Sequence, residues 1–112
     1  MVLFESAELA MTLPNDDIIL ELLPEFVLDW QRQLEAEFHE ILDKKDEQRL
    51  YRLGHTLKGS CLQFGLEEPA KIGITLMEHS KVQDWDAARA MYDPIRGYFE
   101  EAKTLLKAKG LM

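Results

Sequence analysis

Residues 50–65 read LYRLGHTLKGSCLQFG. At about 100° per residue around a helix axis, Leu50, Leu53, Gly54, Leu57, Ser60, Cys61 and Phe64 gather into one arc. That arc is the apolar stripe of an amphipathic helix packed on a core. Gly65 follows where a left-handed residue would end it. His55 falls almost opposite the stripe and faces solvent. Gly59 lies one turn beyond it on the same outer side, with Tyr51 and Leu62 nearby. Glycine inside a helix costs up to about 1 kcal/mol relative to alanine, so both glycines need a cause. On the core side, the missing side chain of Gly54 lets a neighbouring helix approach. No packing need accounts for Gly59.

Outward from this stretch the apolar spacing stays helical, without a convincing alternating run. Before it, Leu20, Leu23, Val27, Trp30, Leu34, Phe38 and Ile41 recur at steps of three or four, a stripe of a helix over 16–44. Asn15 or Asp16 is placed to cap it, and Pro24 inside it predicts a kink. A short helix over about 6–12 precedes the break at LPN. After the polar connection DKKDEQ, the central helix spans 46–64. A third runs over 67–81, with Pro69 tolerated in its first turn and Leu66, Ala70, Gly73, Leu76, Met77 and Ser80 facing inward. A last helix over 84–108 is capped by Asp84 and should be kinked by Pro94. The prediction is an all-α, antiparallel up-down four-helix bundle with a short extra N-terminal helix, a single domain over residues 1–112.

The bulk composition narrows the function. With 46% hydrophobic residues in 112, the chain can build a core without staples. A single cysteine excludes an internal disulfide and suits a reducing compartment, so a cytoplasmic location is expected. The start carries Glu5 and Glu8 and no basic segment, so no signal peptide is expected. No apolar run reaches a membrane span. The net charge of −8 argues against nucleic acid and anionic membrane surfaces as partners. The charge is uneven: residues 44–58 hold Lys44, Lys45, Arg49, Arg52 and Lys58 against Asp46 and Glu47. A basic island thus surrounds His55. It is either an ordinary mixed-charge wet face or a docking patch for something acidic.

A neutral imidazole carries a nucleophilic lone pair near neutral pH. Lys58, three residues on, can help neutralise a phosphoryl group on that ring. Glycine at the next position leaves room for the phosphorus centre. Phosphoryl transfer asks chiefly for positioning and charge stabilisation, and a helix supplies the positioning. The other histidines, His39 and His79, sit on polar stretches and read as solvated. HEILD lacks the second histidine of a zinc motif, and there is no C-x-x-C, phosphate loop or nucleophile elbow. Cys61 reads as a small buried hydrophobe, Trp30 as core and Trp85 as cover for the bundle end.

At these residues the chain resembles the histidine-containing phosphotransfer (HPt) domain, whose helix carries H-x-x-K-G-[SA] and then a glycine. Here the run is His55-Thr56-Leu57-Lys58-Gly59-Ser60, then Gly65. The likeness extends through LPEFVLDWQRQLEAEF, LEEPAKIGITLMEHSK and DWDAARAMYDPIRGYFEEAKTLL. It implies a relay: His55 accepts a phosphoryl group from an aspartate of one receiver domain and passes it to another. Lys58 would assist electrostatically and Gly59 would keep the approach open. Tyr51, Arg52, Leu62 and Gln63 are the expected docking residues. Receiver domains of response regulators or hybrid histidine kinases are the implied partners. No cofactor is expected on this chain, because Mg²⁺ would belong to the receiver. No turnover of its own is expected either, and the expected state is a monomer. Many members have alanine after the later glycine, where this chain has Leu66. Some orient the histidine with a glutamine from the following helix, where this chain has Met77-Glu78-His79. A helical adaptor that binds a receiver or kinase without chemistry is the alternative. A general-base enzyme is disfavoured, because a solvent-facing histidine on a convex surface has no pocket to hold substrate.

Overall fold

The computed structural model describes residues 13–112. The short helix expected over about 6–12 lies outside the described residues. The described chain forms helices α1 (Asp17–Asp43), α2 (Glu47–Gln63), α3 (Glu67–Val82), α4 (Trp85–Arg89) and α5 (Tyr92–Ala108). Consecutive long helices run antiparallel. Arg49 of α2 reaches back to Glu40 of α1 (3.3 Å), while Phe64 at the far end of α2 stacks on Phe26 (4.1 Å between centroids). Trp30 and Phe99 stack between α1 and α5 (6.4 Å), and Phe38 meets Tyr92 (5.2 Å) at the other end of that pair. The fold is the antiparallel up-down four-helix bundle that the apolar stripes predict, with the fourth arm in two pieces.

Local chemistry explains the helix ends. The Asp16 carboxylate accepts from the Ile18 and Ile19 N–H groups, Asp46 from Arg49 N–H and Asp84 from Ala87 N–H. Each satisfies donors that the first helical turn leaves without partners. Gly65, at φ 73°, ends α2 as a left-handed residue. The next N–H, of Leu66, closes onto the Cys61 carbonyl at 2.8 Å, the six-to-one bond of a Schellman motif. Lys45 and Gln83 end α1 and α3 in the same way despite carrying side chains, at φ 51° and 56°.

The two internal prolines behave differently. α1 runs unbroken through Pro24. The last arm is not one helix kinked at Pro94, as the sequence suggests, but two helices. α4 ends at Arg89 and α5 begins at Tyr92. In a continuous helix the Pro94 ring would press on the Ala90 carbonyl and leave it without a donor. Restarting the helix at Tyr92 places Pro94 in a first turn, where a missing N–H costs nothing.

The core is aliphatic and aromatic. Leu23, Val27, Phe38, Leu50, Leu57, Leu76, Ile95, Phe99 and Leu106 are fully buried. α2 and α3 approach most closely where Gly54 faces Gly73. A Cβ built on either would stand 2.5 Å from the other's carbonyl oxygen. The Ser80 hydroxyl, itself fully buried, donates to the Glu47 carbonyl at 2.8 Å. This bond ties the end of α3 to the start of α2.

Candidate functional site

The site is built on the outward face of α2. Leu50, Leu53, Gly54, Leu57 and Cys61 turn inward, which leaves Tyr51, Arg52, His55, Thr56, Gly59, Leu62 and Gln63 exposed and Lys58 half-buried. Two contiguous faces on one rigid helix therefore separate core from surface. A Cβ on Gly59 would meet no atom within 4 Å. The space beside His55 on its C-terminal flank is open. On the other flank the Tyr51 ring lies nearly parallel to the imidazole, 6.4 Å away at 19°. Side chains four residues apart on a helix are neighbours, so Tyr51 is placed there by α2 alone.

The basic island divides in two once folded. The Glu40 carboxylate takes up Lys44 (3.2 Å) and Arg49 (3.3 Å). Hydrogen bonds from Lys44 and then Arg49 hold the Glu40 carboxyl below its ordinary value. Arg52 and Lys58, either side of His55, form no ion pair among the described residues. The two cations flanking the imidazole are thus uncommitted among the described residues, as is Lys45 at the start of the island. Lys81, from the last turn of α3, joins them. Its Nζ stands 5.7 Å from the centroid of the Tyr51 ring, and it too forms no ion pair among the described residues. Sequence reasoning did not single out Lys81. Its relevance depends on how α3 lies against α2, which no local pattern encodes.

The remaining candidates sort as follows. Leu62 is half exposed and Gln63 exposed, both further along the outward face. Leu66, in place of a small residue, is buried in the core. Met77 is turned inward over Gly54, 3.1 Å from where a Cβ there would stand. That stretch of α3 supplies packing to α2, and the polar contribution comes one turn later, from Lys81. Cys61 is fully buried, and burial pushes its thiol up to about 12, so it stays protonated and unreactive. His39 is exposed but not free in solvent. Its ring packs 4.4 Å from Tyr92, and its Nδ1 lies 3.3 Å from Arg89, which also binds Asp43. His39 therefore serves to clip α4 to α1.

The surface beside His55 is not wholly convex. An open depression on the Tyr51 side is lined by Glu47, Gln48, Tyr51, Arg52, His55 and Ser80. Its rim is charged and it does not close over the imidazole. Among the described residues no three His, Cys, Asp or Glu side chains are grouped to hold a metal ion, and no helix is long and apolar enough to cross a membrane.

The Hpt domain family model matches residues 19–108, from the first turns of α1 to the end of α5. No curated protein and no solved structure gives a significant match. The family match spans all four arms of the bundle and includes the whole outward face of α2. The chain belongs to the Hpt domain family, whose members are phosphotransfer carriers, and with that membership goes a phosphotransfer role in a phosphorelay.

Proposed function

We propose that His55 is the phosphoacceptor of this carrier. A ring nitrogen of the neutral imidazole attacks the phosphorus of an aspartyl phosphate on a receiver domain. A P–N bond forms as the acyl P–O bond breaks, and the aspartate leaves as a free carboxylate. The reverse step, on the aspartate of a second receiver, returns the imidazole. Lys58 balances charge on the phosphoryl oxygens, and Gly59 keeps a side chain out of the approach path. Tyr51, Arg52, Leu62 and Gln63 contact the receiver around its acidic pocket. In this reading the chain works as a single bundle domain, a monomer in the cytoplasm, between receiver domains of hybrid histidine kinases and response regulators.

One observation carries the reading: an exposed imidazole stands on a rigid helix between two cations that have no carboxylate partner among the described residues, in a protein of net charge −8. Those cations are available for phosphoryl oxygens and receiver carboxylates.

The test is a single substitution. His55→Gln should fold with stability within about 0.5 kcal/mol of the wild type, since the ring is exposed and unbonded. It should take no acid-labile phosphate from a phosphorylated receiver that labels the wild type. Labelling of the variant at the wild-type rate would place the acceptor elsewhere. Binding of the receiver by a wild-type chain that never becomes labelled would make the protein an adaptor.

A further inference from the structure

His55 has a ring beside it on one flank, at the edge of the open depression, and two helices build that flank. The Tyr51 ring stands on its N-terminal flank (6.4 Å), and the Lys81 ammonium stands 5.7 Å from the Tyr51 ring centroid. That separation lies within the range of a cation–π contact. Two bonds bracket Lys81 and fix the last turn of α3 against the first turn of α2. Ser80 Oγ donates to the Glu47 carbonyl, and Gln83 Nε2 donates to the Glu47 side chain, each at 2.8 Å. The second bond has a further effect. It gives Glu47, the one carboxylate among the described residues that line the depression, a partner in Gln83, while Lys81 forms no ion pair among the described residues and stands over the aromatic face. The opposite flank of His55 is open at Gly59.

We propose that Tyr51 and Lys81 are a positioning pair for His55. Lys81 holds the Tyr51 ring, and the ring blocks the N-terminal flank of the imidazole. The phosphorus centre therefore reaches His55 from the Gly59 flank, where Lys58 stands one turn on. Neither member of the pair touches the reacting atoms. In this chain an aromatic ring from the histidine's own helix limits the imidazole, and the following helix acts on it through Lys81. The proposal rests on His55 being the phosphoacceptor and adds to Tyr51 a role beyond contact with the receiver.

The test compares Tyr51→Leu, Tyr51→Phe, Lys81→Gln and Lys81→Arg in the full chain. The donor is a receiver domain charged with acetyl phosphate, chosen because it labels the wild type. Transfer is measured against receiver concentration, so that the saturated rate and the half-saturating concentration are read separately. Tyr51→Leu should lower the saturated rate about 5- to 10-fold, whereas Tyr51→Phe, which keeps the ring, should stay within about 2-fold. Lys81→Gln should lower it about 2- to 5-fold, the scale of an exposed cation–π contact, and Lys81→Arg should restore it. A nuclear Overhauser contact between the Tyr51 and His55 rings should be present in the wild type and weaken in Lys81→Gln. If the variants change only the half-saturating concentration, Tyr51 is a docking residue and the positioning pair is overturned. If the saturated rates of Tyr51→Leu and Lys81→Gln equal the wild type, it is overturned as well. Labelling of His55→Gln at the wild-type rate by the same donor would instead remove the assignment of His55.

Discussion

Gly54 and Gly59 lie on the same helix, five residues apart, and a sequence reader meets them as the same anomaly. In the folded protein they have opposite causes. A Cβ on Gly54 would sit 2.5 Å from the Gly73 carbonyl oxygen, while a Cβ on Gly59 would meet nothing within 4 Å. The first glycine is required by packing, because it sets how close α3 comes to α2. The second is not required by any neighbour among the described residues, which is the expectation for a face that another protein approaches. The contrast holds for the whole of α2: its inward face answers to the bundle, and its outward face is the one we propose a receiver domain approaches.

The sharpest way to break this contrast is Gly54→Ala. The new methyl has backbone on the other side, which cannot rotate away, so α2 and α3 must separate. The expected loss is about 2–4 kcal/mol, beyond the helix-propensity gain of alanine, measured by urea unfolding. Gly73→Ala should cost a similar amount, because its Cβ would meet the Gly54 oxygen at 2.5 Å and the Lys58 nitrogen at 2.8 Å. The double variant should cost less than the sum, since both substitutions force apart the same crossing. A neutral Gly54→Ala would mean that the two helices are not in contact there.

A smaller effect tests the inward face through pH. Burial raises the Cys61 thiol from 9.0 to about 12. Between those values the unfolded chain gives up a proton that the folded chain keeps. The folded state then binds more protons, and stability falls as pH rises. Stability should be unaffected by this thiol below its ordinary value and fall by about 1.4 kcal/mol between pH 8 and 10. Cys61→Ala, compared over the same range, should lack that fall. Equal slopes in the two proteins would show that the thiol is not held away from water.

The smallest effect belongs to Gly59. With open space for a methyl, Gly59→Ala should stabilise the fold by about 0.5–1 kcal/mol. Gly59→Leu should also fold, yet slow transfer from a phosphorylated receiver about tenfold by crowding the approach to His55. A destabilised Gly59→Ala would put this glycine in the same class as Gly54. An unchanged rate for Gly59→Leu would remove the steric argument.

What was legible in the sequence follows from how far each signal reaches. The stripe Leu50, Leu53, Leu57, Cys61 repeats at the helical period, and that period alone places His55 outside the core. Asp16, Asp46 and Asp84 cap the turns that follow them, and Gly65 ends α2, each within a few residues along the chain. Pro94 shows the limit of such local reading. Its conflict with a continuous helix was visible, but the remedy, a break at Ala90 and Met91 and a fresh start at Tyr92, depends on what the two pieces pack against. The basic island shows the same limit. Five cations stand in one stretch of sequence, and only the folded chain assigns Lys44 and Arg49 to Glu40 and leaves Lys45, with Arg52 and Lys58 beside His55, without an ion pair among the described residues.

The order of residues along the chain was enough to determine the bundle class, the two faces of α2 and the outward imidazole, because a helix converts spacing directly into direction. The tertiary structure alone decided that Lys81 reaches Tyr51, that Gln83 occupies Glu47 and that Met77 covers Gly54. Those contacts join residues some thirty positions apart, and their register is set by the close crossing at Gly54 and Gly73. A helical period carries no information about the register between two helices, so the second half of the site appears only when they are packed together.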